Sequence, residues 1–140
     1  MKNIPEGFTP FGRVSPFTEM VGPLYTRGEG MRRVIGLMAE HKHCNSRGIV
    51  HGGVLATLAD TSMGYTIAFL TDPPAAIITA SLTIDYAGTA HEDQWLESHV
   101  DVQKMGSRLA FANCYIKVGD ERIARASAVF AYPGVRKPKG

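Results

Sequence analysis

The sequence has only two cysteines, Cys44 and Cys114, among its 140 residues. Two thiols in different predicted elements are too few for a disulfide framework, so we expect both to be reduced. No uninterrupted apolar run approaches the roughly 18 residues of a membrane span, and the first residues lack the hydrophobic stretch of a signal peptide. These absences lead us to expect a cytoplasmic protein with no membrane partner.

A charge bias is also missing. The 15 Lys and Arg residues against 13 Asp and Glu give a net charge of +2, which is too balanced to favour nucleic acid as a partner. We find no internal repeat and no low-complexity segment. A hydrophobic content of 44% over 140 residues is enough for one core. We therefore expect a single domain over residues 1–140, with residues 1–30 packing on it as a Gly- and Pro-rich extension.

The most regular pattern in the chain predicts a helix from about His51 to Leu70. Apolar residues recur there at helical spacing, and no proline interrupts the segment. Asp60 lies inside this helix among apolar neighbours. Because burial of an unpaired carboxylate costs several kcal/mol, Asp60 is either a solvated helix residue, a paired residue, or part of a site that uses its charge.

Alternating apolar and polar residues, separated by turn signals, predict strands in the rest of the chain. The strands are expected at residues 31–40, 76–87, 94–104, 108–118 and 122–132, with a short helix at 17–21. One long helix and five strands can bury their apolar residues if the sheet curls around the helix, which favours the α+β class.

The segment His51-Gly52-Gly53 opens the predicted helix. Bare backbone N–H groups at the positive end of a helix form an anion or oxyanion site, and glycine lets a substrate carbonyl approach closely. Gly52 is the first candidate donor and Gly53 is a further candidate for substrate contact. His51 is either a hydrogen-bonded structural residue or a base, and the three residues can also be a simple turn with a glycine at the helix start.

Helix geometry separates the two candidate groups. Gly52 and Asp60 are eight residues apart, which corresponds to about 12 Å along one helix. They cannot both contact one reacting carbonyl unless the second group comes from another copy of the helix. The spacing therefore predicts a homodimer or homotetramer with sites shared between subunits.

A metal site is a further hypothesis, because His41, His43, Cys44 and His51 are residue types that bind zinc. Their spacing fits no closed ligand pattern. We expect neither a metal nor a cofactor.

The combination of Asn45, the H-G-G sequence at 51–53, Asp60 and the strand-rich remainder resembles a hotdog-fold acyl-CoA thioesterase of the phenylacetate-degradation type. The resemblance extends over roughly residues 31–132. It implies a curved antiparallel sheet of five to six strands wrapped around one long central helix. It also implies that Asp60 is the base or nucleophile that brings water to a thioester carbonyl, while the Asn45 amide and the Gly52 N–H polarise the carbonyl oxygen.

The resemblance further implies a hydroxyl from the first long strand after the helix, which helps to hold the water. We place this hydroxyl at Thr79, with Ser81 as the alternative. For the phosphates of coenzyme A we prefer Lys104 and Arg108, which flank a predicted turn. Weaker candidates for the phosphates are Arg122, Arg125 and the tail Arg136-Lys137-Pro138-Lys139.

The sequence therefore predicts an acyl-CoA thioesterase, and thioester hydrolysis by these residue types needs no metal. A non-catalytic acyl-CoA binding or sensing module on the same fold is the alternative. A hydratase ranks last, because His51 and Asp60 are too far apart within one chain to converge on a substrate. The sequence does not specify the acyl group.

Overall fold

The computed structural model describes residues 3–13 and 15–132. In chain order the elements are β1 (Thr9–Pro10), α1 (Pro16–Val21), β2 (Leu24–Arg27), β3 (Val34–Met38), α2 (Gly52–Ala68), β4 (Ile78–Tyr86), β5 (Trp95–Met105), β6 (Leu109–Val118) and β7 (Glu121–Ala131). The strands form one antiparallel sheet in the order β1-β2-β3-β5-β6-β7-β4. Within the described ranges, no helix is long and apolar enough to cross a membrane.

The predicted α+β class is confirmed, with one long helix and an antiparallel sheet. The sheet has seven strands rather than five or six, because the first 30 residues contribute β1 and β2. These two strands extend the sheet beyond β3, where Leu24 pairs with Leu37. The predicted strand at 31–40 is shorter than expected, because a 3-10 turn occupies Gly30–Arg32.

Helix α2 packs against the inner face of the sheet and contacts β3, β4, β5, β6 and β7. The inner face of β6 and β7 carries small side chains, which let the helix backbone lie close to the sheet. These are the buried residues Ala110, Ala112, Ala124, Ala126 and Ala128. One side of the helix stays only partly buried, and it carries Thr57, Asp60, Thr61 and Gly64.

The N-terminal segment is anchored beside the end of α2. The Phe11 ring is buried edge-on against Tyr65, with 4.9 Å between the ring centroids. The backbone N–H of Phe11 donates to the Leu24 carbonyl at 2.9 Å. Helix α1 begins at a capping box in which the Ser15 side chain accepts from the Thr18 N–H. These contacts place Phe11 beside the end of α2 and fix the start of α1.

An aromatic and charged cluster joins β3 and β5 on the side of the sheet where Gly36 leaves space for Trp95. The indole N–H of Trp95 donates to Glu97 at 2.9 Å, and His99 Nε2 lies 2.9 Å from the other Glu97 oxygen. Burial raises the pKa of Glu97, but the hydrogen bonds from His99 and Trp95 outweigh burial and hold it below its ordinary value. The cluster depends on glycine at position 36, because a Cβ there would lie 2.1 Å from Trp95 Cζ2.

We predict that Gly36→Ala lowers the free energy of unfolding by about 1–3 kcal/mol, because the new methyl group must displace the Trp95 ring. Thermal unfolding followed by circular dichroism measures the effect. Gly12→Ala is the matched control, since a Cβ at Gly12 has no atom within 4 Å. Equal melting temperatures for the two variants would contradict the packing described for Trp95.

Candidate active site

The carboxylate of Asp60 is held by a hydrogen bond from the strand that follows α2. The Thr79 hydroxyl donates to Asp60 Oδ1 at 2.7 Å. The Asp60 side chain is only partly buried, and the described residues provide no hydrogen-bond partner for its second oxygen. One oxygen is therefore oriented by the protein while the other remains available to a ligand or to water.

A β-bulge in β4 places the Thr79 side chain on the helix side of the sheet. Thr79 pairs with Phe130 and Ser81 pairs with Val129, so Ala80 is an extra residue between them. Directly paired residues share a face of the sheet, and Phe130 is buried on the inner face. Thr79 therefore faces α2, whereas Ser81 faces outward. This corrects the expectation that Ser81 is an alternative to Thr79 beside Asp60.

A cleft of about 520 Å³ adjoins Asp60 and Thr79. Its walls come from α2, from Arg13, from Ser15 and helix α1, and from the connection between α2 and β4. Four aromatic rings line it, those of Phe17, Tyr65, Phe69 and Phe130, and its two charged lining residues are Arg13 and Asp60. A volume in this range is typical of small-molecule sites, and this cleft combines aromatic rings with polar side chains.

The start of α2 presents one backbone donor. The N-cap residue His51 accepts the Gly53 N–H at its Nδ1, at 2.9 Å, which assigns the ring proton of a neutral His51 to Nε2. The Gly52 N–H has no hydrogen-bond partner within the described part of the chain. Gly52, and not Gly53, therefore keeps the open donor that the sequence predicted here.

Tyr86 crosses over the first turn of α2 and leaves little room for a side chain at position 52. Its hydroxyl donates to the Gly52 carbonyl at 2.7 Å. A Cβ at Gly52 would lie 3.2 Å from Tyr86 Cζ, which is tighter than most contacts of this kind. The absence of a side chain at Gly52 thus keeps the helix start accessible beside the tyrosine.

Asn45 organises the loop that leads into α2. Its Oδ1 accepts from the Arg47 N–H at 2.8 Å and from the Ile49 N–H at 3.1 Å. The side-chain NH₂ group has no acceptor among the described residues, so it remains able to donate to a ligand. Neither Asn45 nor the helix start lines the cleft beside Asp60. The structure brings Thr79 to Asp60 within one chain, but it does not bring Asn45, His51 or Gly52 there.

The predicted phosphate-binding pair lies at the turn between β5 and β6. Lys104 and Arg108 are both exposed. Leu109 and Ile78 both pair with Ala131, which places this turn at the same end of the sheet as Thr79. Neither cation lines the cleft.

Two of the weaker phosphate candidates contact other side chains of the sheet. Arg125 Nε donates to Asp85 at 3.0 Å, and the Arg122 guanidinium lies 3.9 Å from the centre of the Tyr115 ring. The cationic tail residues Arg136, Lys137 and Lys139 lie outside the described residues.

Comparison with known proteins identifies the family. A family model described as "Thioesterase superfamily" matches residues 47–125. The chain belongs to the thioesterase superfamily. A proposed esterase of Pseudomonas aeruginosa is 43% identical over 134 residues, which cover 95% of this chain and all of that protein.

Solved structures of the superfamily share the fold. The Escherichia coli PaaI protein, from the phenylacetic acid degradation operon, has a TM-score of 0.77 at 17% identity, with 86% of each chain covered. A hypothetical thioesterase from Streptococcus pneumoniae, solved with coenzyme A, has a TM-score of 0.73 at 19% identity, covering 81% of this chain and 91% of that one. The predicted hotdog fold and the resemblance to the phenylacetate-degradation type are confirmed.

Titratable residues near the helix start do not assemble a metal site in this superfamily member. His43 is buried, its Nδ1 accepts the Glu40 N–H at 2.8 Å, and its Nε2 hydrogen-bonds the Val21 carbonyl. Both ring nitrogens are thus occupied by backbone groups. Across residues 3–13 and 15–132, no group of three His, Cys, Asp or Glu side chains is placed to hold a metal ion.

The two thiols of this superfamily member are poor nucleophiles. Burial, with smaller contributions from Glu92 and Asp93, raises the pKa of Cys44, and burial raises the pKa of Cys114 to about 11. Because the thiolate is the reactive form, neither cysteine competes with Asp60 as the candidate nucleophile.

Proposed function

We propose that this chain is an acyl-CoA thioesterase that hydrolyses a thioester to a carboxylic acid and coenzyme A. The observation that carries the proposal is the Asp60 carboxylate, oriented by Thr79 at a cleft of about 520 Å³. Membership of the thioesterase superfamily supports the reaction class, and the coenzyme A in the pneumococcal structure supports the substrate class.

The available Asp60 oxygen has two routes to the product. It either takes a proton from water, whose oxygen then attacks the thioester carbon, or attacks that carbon itself to form an anhydride that water hydrolyses. In both routes the carbon–sulfur bond breaks and the sulfur leaves as the coenzyme A thiolate, which takes up a proton. The Thr79 hydroxyl keeps the carboxylate in one orientation during these steps.

Negative charge develops on the carbonyl oxygen in either route and needs hydrogen-bond donors. The Gly52 N–H and the Asn45 NH₂ group are suitable, since each keeps an unused donor and the Gly52 N–H lies at the positive end of α2. Gly52 is remote from Asp60 in the same chain, because eight residues of helix correspond to about 12 Å, and neither Gly52 nor Asn45 lines the cleft at Asp60. The donors for one Asp60 must therefore come from a second copy.

A homodimer supplies the second set of donors. Strand β4 lies at the end of the sheet, and its apolar residues Ile78 and Tyr86 are 57% and 50% exposed. An exposed apolar edge strand is prone to pair with another chain. In the proposed homodimer each site combines Asp60 and Thr79 of one protomer with Gly52 and Asn45 of its partner.

We predict that Asp60→Asn lowers kcat/KM at least about 100-fold while leaving the fold intact, because the amide can neither accept the water proton nor attack the carbon. Free-thiol release from phenylacetyl-, hydroxybenzoyl-, short- and medium-chain acyl-CoAs measures the effect. Asp101→Asn, a change at an exposed strand residue, is the control. Wild-type protein that binds acyl-CoA but hydrolyses none of the panel would instead indicate a binding or sensing module.

Thr79 and Ser81, two hydroxyl residues of β4, provide a matched pair. Thr79→Val removes a hydrogen bond to a carboxylate, worth about 1.5–3 kcal/mol, so kcat/KM should fall roughly 10–100-fold. Ser81→Ala, two residues away on the outer face, should retain the wild-type rate. A larger loss at Ser81 than at Thr79 would contradict the assignment of the β4 hydroxyl.

Mixing two inactive variants tests whether the site is shared. Asn45→Asp keeps the oxygen that accepts the loop N–H groups but removes the NH₂ donor. Equal amounts of Asp60→Asn and Asn45→Asp protein are unfolded and refolded together, so that about half of the dimers are mixed. In each mixed dimer a shared arrangement leaves one of the two sites intact, which predicts recovery of about one quarter of wild-type activity. If each site lies within one chain, the mixture should remain inactive.

A further inference from the structure

Two arginines meet at one aromatic ring at the end of the cleft far from Thr79. The guanidinium carbon of Arg13 lies 5.3 Å from the centre of the Phe69 ring, and that of Arg33 lies 5.0 Å from the same centre. Phe69 immediately follows the last residue of α2 and lines the cleft together with Arg13. The cleft therefore has a carboxylate near one end and a cation near the other.

Neither arginine has a carboxylate partner in the described part of the chain. Arg33 reaches only the Thr26 hydroxyl, at 3.4 Å, and its buried Nε has no hydrogen-bond partner. The contact of Arg13 is with the face of the Phe69 ring. Arg13 lines the cleft and Arg33 does not, so an anion in the cleft would bind Arg13, and the positive charge of Arg33 at the same ring would add a longer-range attraction.

Two residues close to Arg13 in the chain have defined contacts. Phe11, two residues earlier, is buried against Tyr65, and Ser15, two residues later, caps α1. Arg13 itself is exposed and lines the cleft. Hydroxyl groups of Ser15, Thr18 and Thr61 line the same cleft and add polar character near it.

The cleft is long enough to separate two functional groups of one acyl chain. Asp60 and Phe69 are nine residues apart, about 13 Å along the axis of α2. A thioester carbonyl beside Asp60 leaves the rest of the acyl group to run past the aromatic lining toward Arg13. A purely apolar chain would end against a guanidinium that it cannot pair.

We propose that Arg13 binds a carboxylate at the distal end of the acyl group, so that the cleft accepts monothioesters of dicarboxylic acids. This inference rests on the proposed thioesterase function and adds a specificity-determining residue to it. Arg13 makes the charge-assisted hydrogen bonds to the carboxylate, for which its planar guanidinium is suited. Arg33 contributes a second positive charge at the same ring.

The test compares acyl-CoA pairs of equal carbon number that differ in the distal carboxylate. Adipoyl- and hexanoyl-CoA form one pair, and suberyl- and octanoyl-CoA form another. Wild-type protein should hydrolyse the dicarboxylyl member with a kcat/KM at least about tenfold higher, through a lower KM. Arg13→Gln should remove this preference by lowering kcat/KM for the dicarboxylyl member of each pair much more than for the neutral member, while Arg32→Gln, at an exposed residue that does not line the cleft, should retain it.

Several outcomes would overturn the inference, and they separate it from the proposed function. Hydrolysis of hexanoyl-CoA at least as efficiently as adipoyl-CoA would refute the carboxylate specificity and leave the thioesterase standing. An equal loss on both members of each pair in Arg13→Gln would indicate a contact to the coenzyme A phosphates or a structural role. The preference should persist with N-acetylcysteamine thioesters, which lack those phosphates. No hydrolysis of any ester would overturn both proposals.

Discussion

Helix α2 is a rigid element, and its rise separates the Gly52 N–H at its start from the Asp60 carboxylate by about 12 Å. Five strands contact this helix, and the side that carries Asp60 stays partly open. One chain therefore presents a carboxylate with its orienting hydroxyl, and it presents backbone and amide donors at a separate place. In the proposed homodimer, a second chain pairs with the exposed edge strand β4 and brings its donors to the Asp60 carboxylate.

The orienting hydroxyl depends on a feature that no local pattern in the sequence specifies. Apolar and polar residues alternate along β4 without interruption in the sequence, so the pattern places Thr79 and Ser81 on the same face of the strand. The extra residue Ala80 becomes visible only through the pairing of β4 with β7, which lies far away in the chain. Pairing between distant strands decides which hydroxyl faces the helix, and this explains why the sequence located the strand but left the choice of residue open.

Local signals predicted the long helix and the long strands well. The glycines at the start of α2, the carboxylate inside an apolar helix and the long strands each follow from neighbouring residues, and the structure has them where they were expected, apart from small shifts at the ends. The strands of the N-terminal segment were harder to predict from the sequence, because β1 and β2 have only two and four residues. Their stability comes from pairing with β3, and the role of Arg13 in the cleft wall depends on the packing of Phe11 against α2.

The most direct test of the account is a crystal structure of the Asp60→Asn variant with an intact acyl-CoA. The account predicts that the thioester carbonyl carbon lies beside residue 60 and Thr79 of one protomer, with the carbonyl oxygen within hydrogen-bond distance of the N–H of Gly52 of the partner subunit. The acyl group should extend into the cleft toward Phe69. A thioester bound on the outer face of the sheet, or a carbonyl oxygen that contacts only residues of the same chain as Asn at position 60, would contradict it.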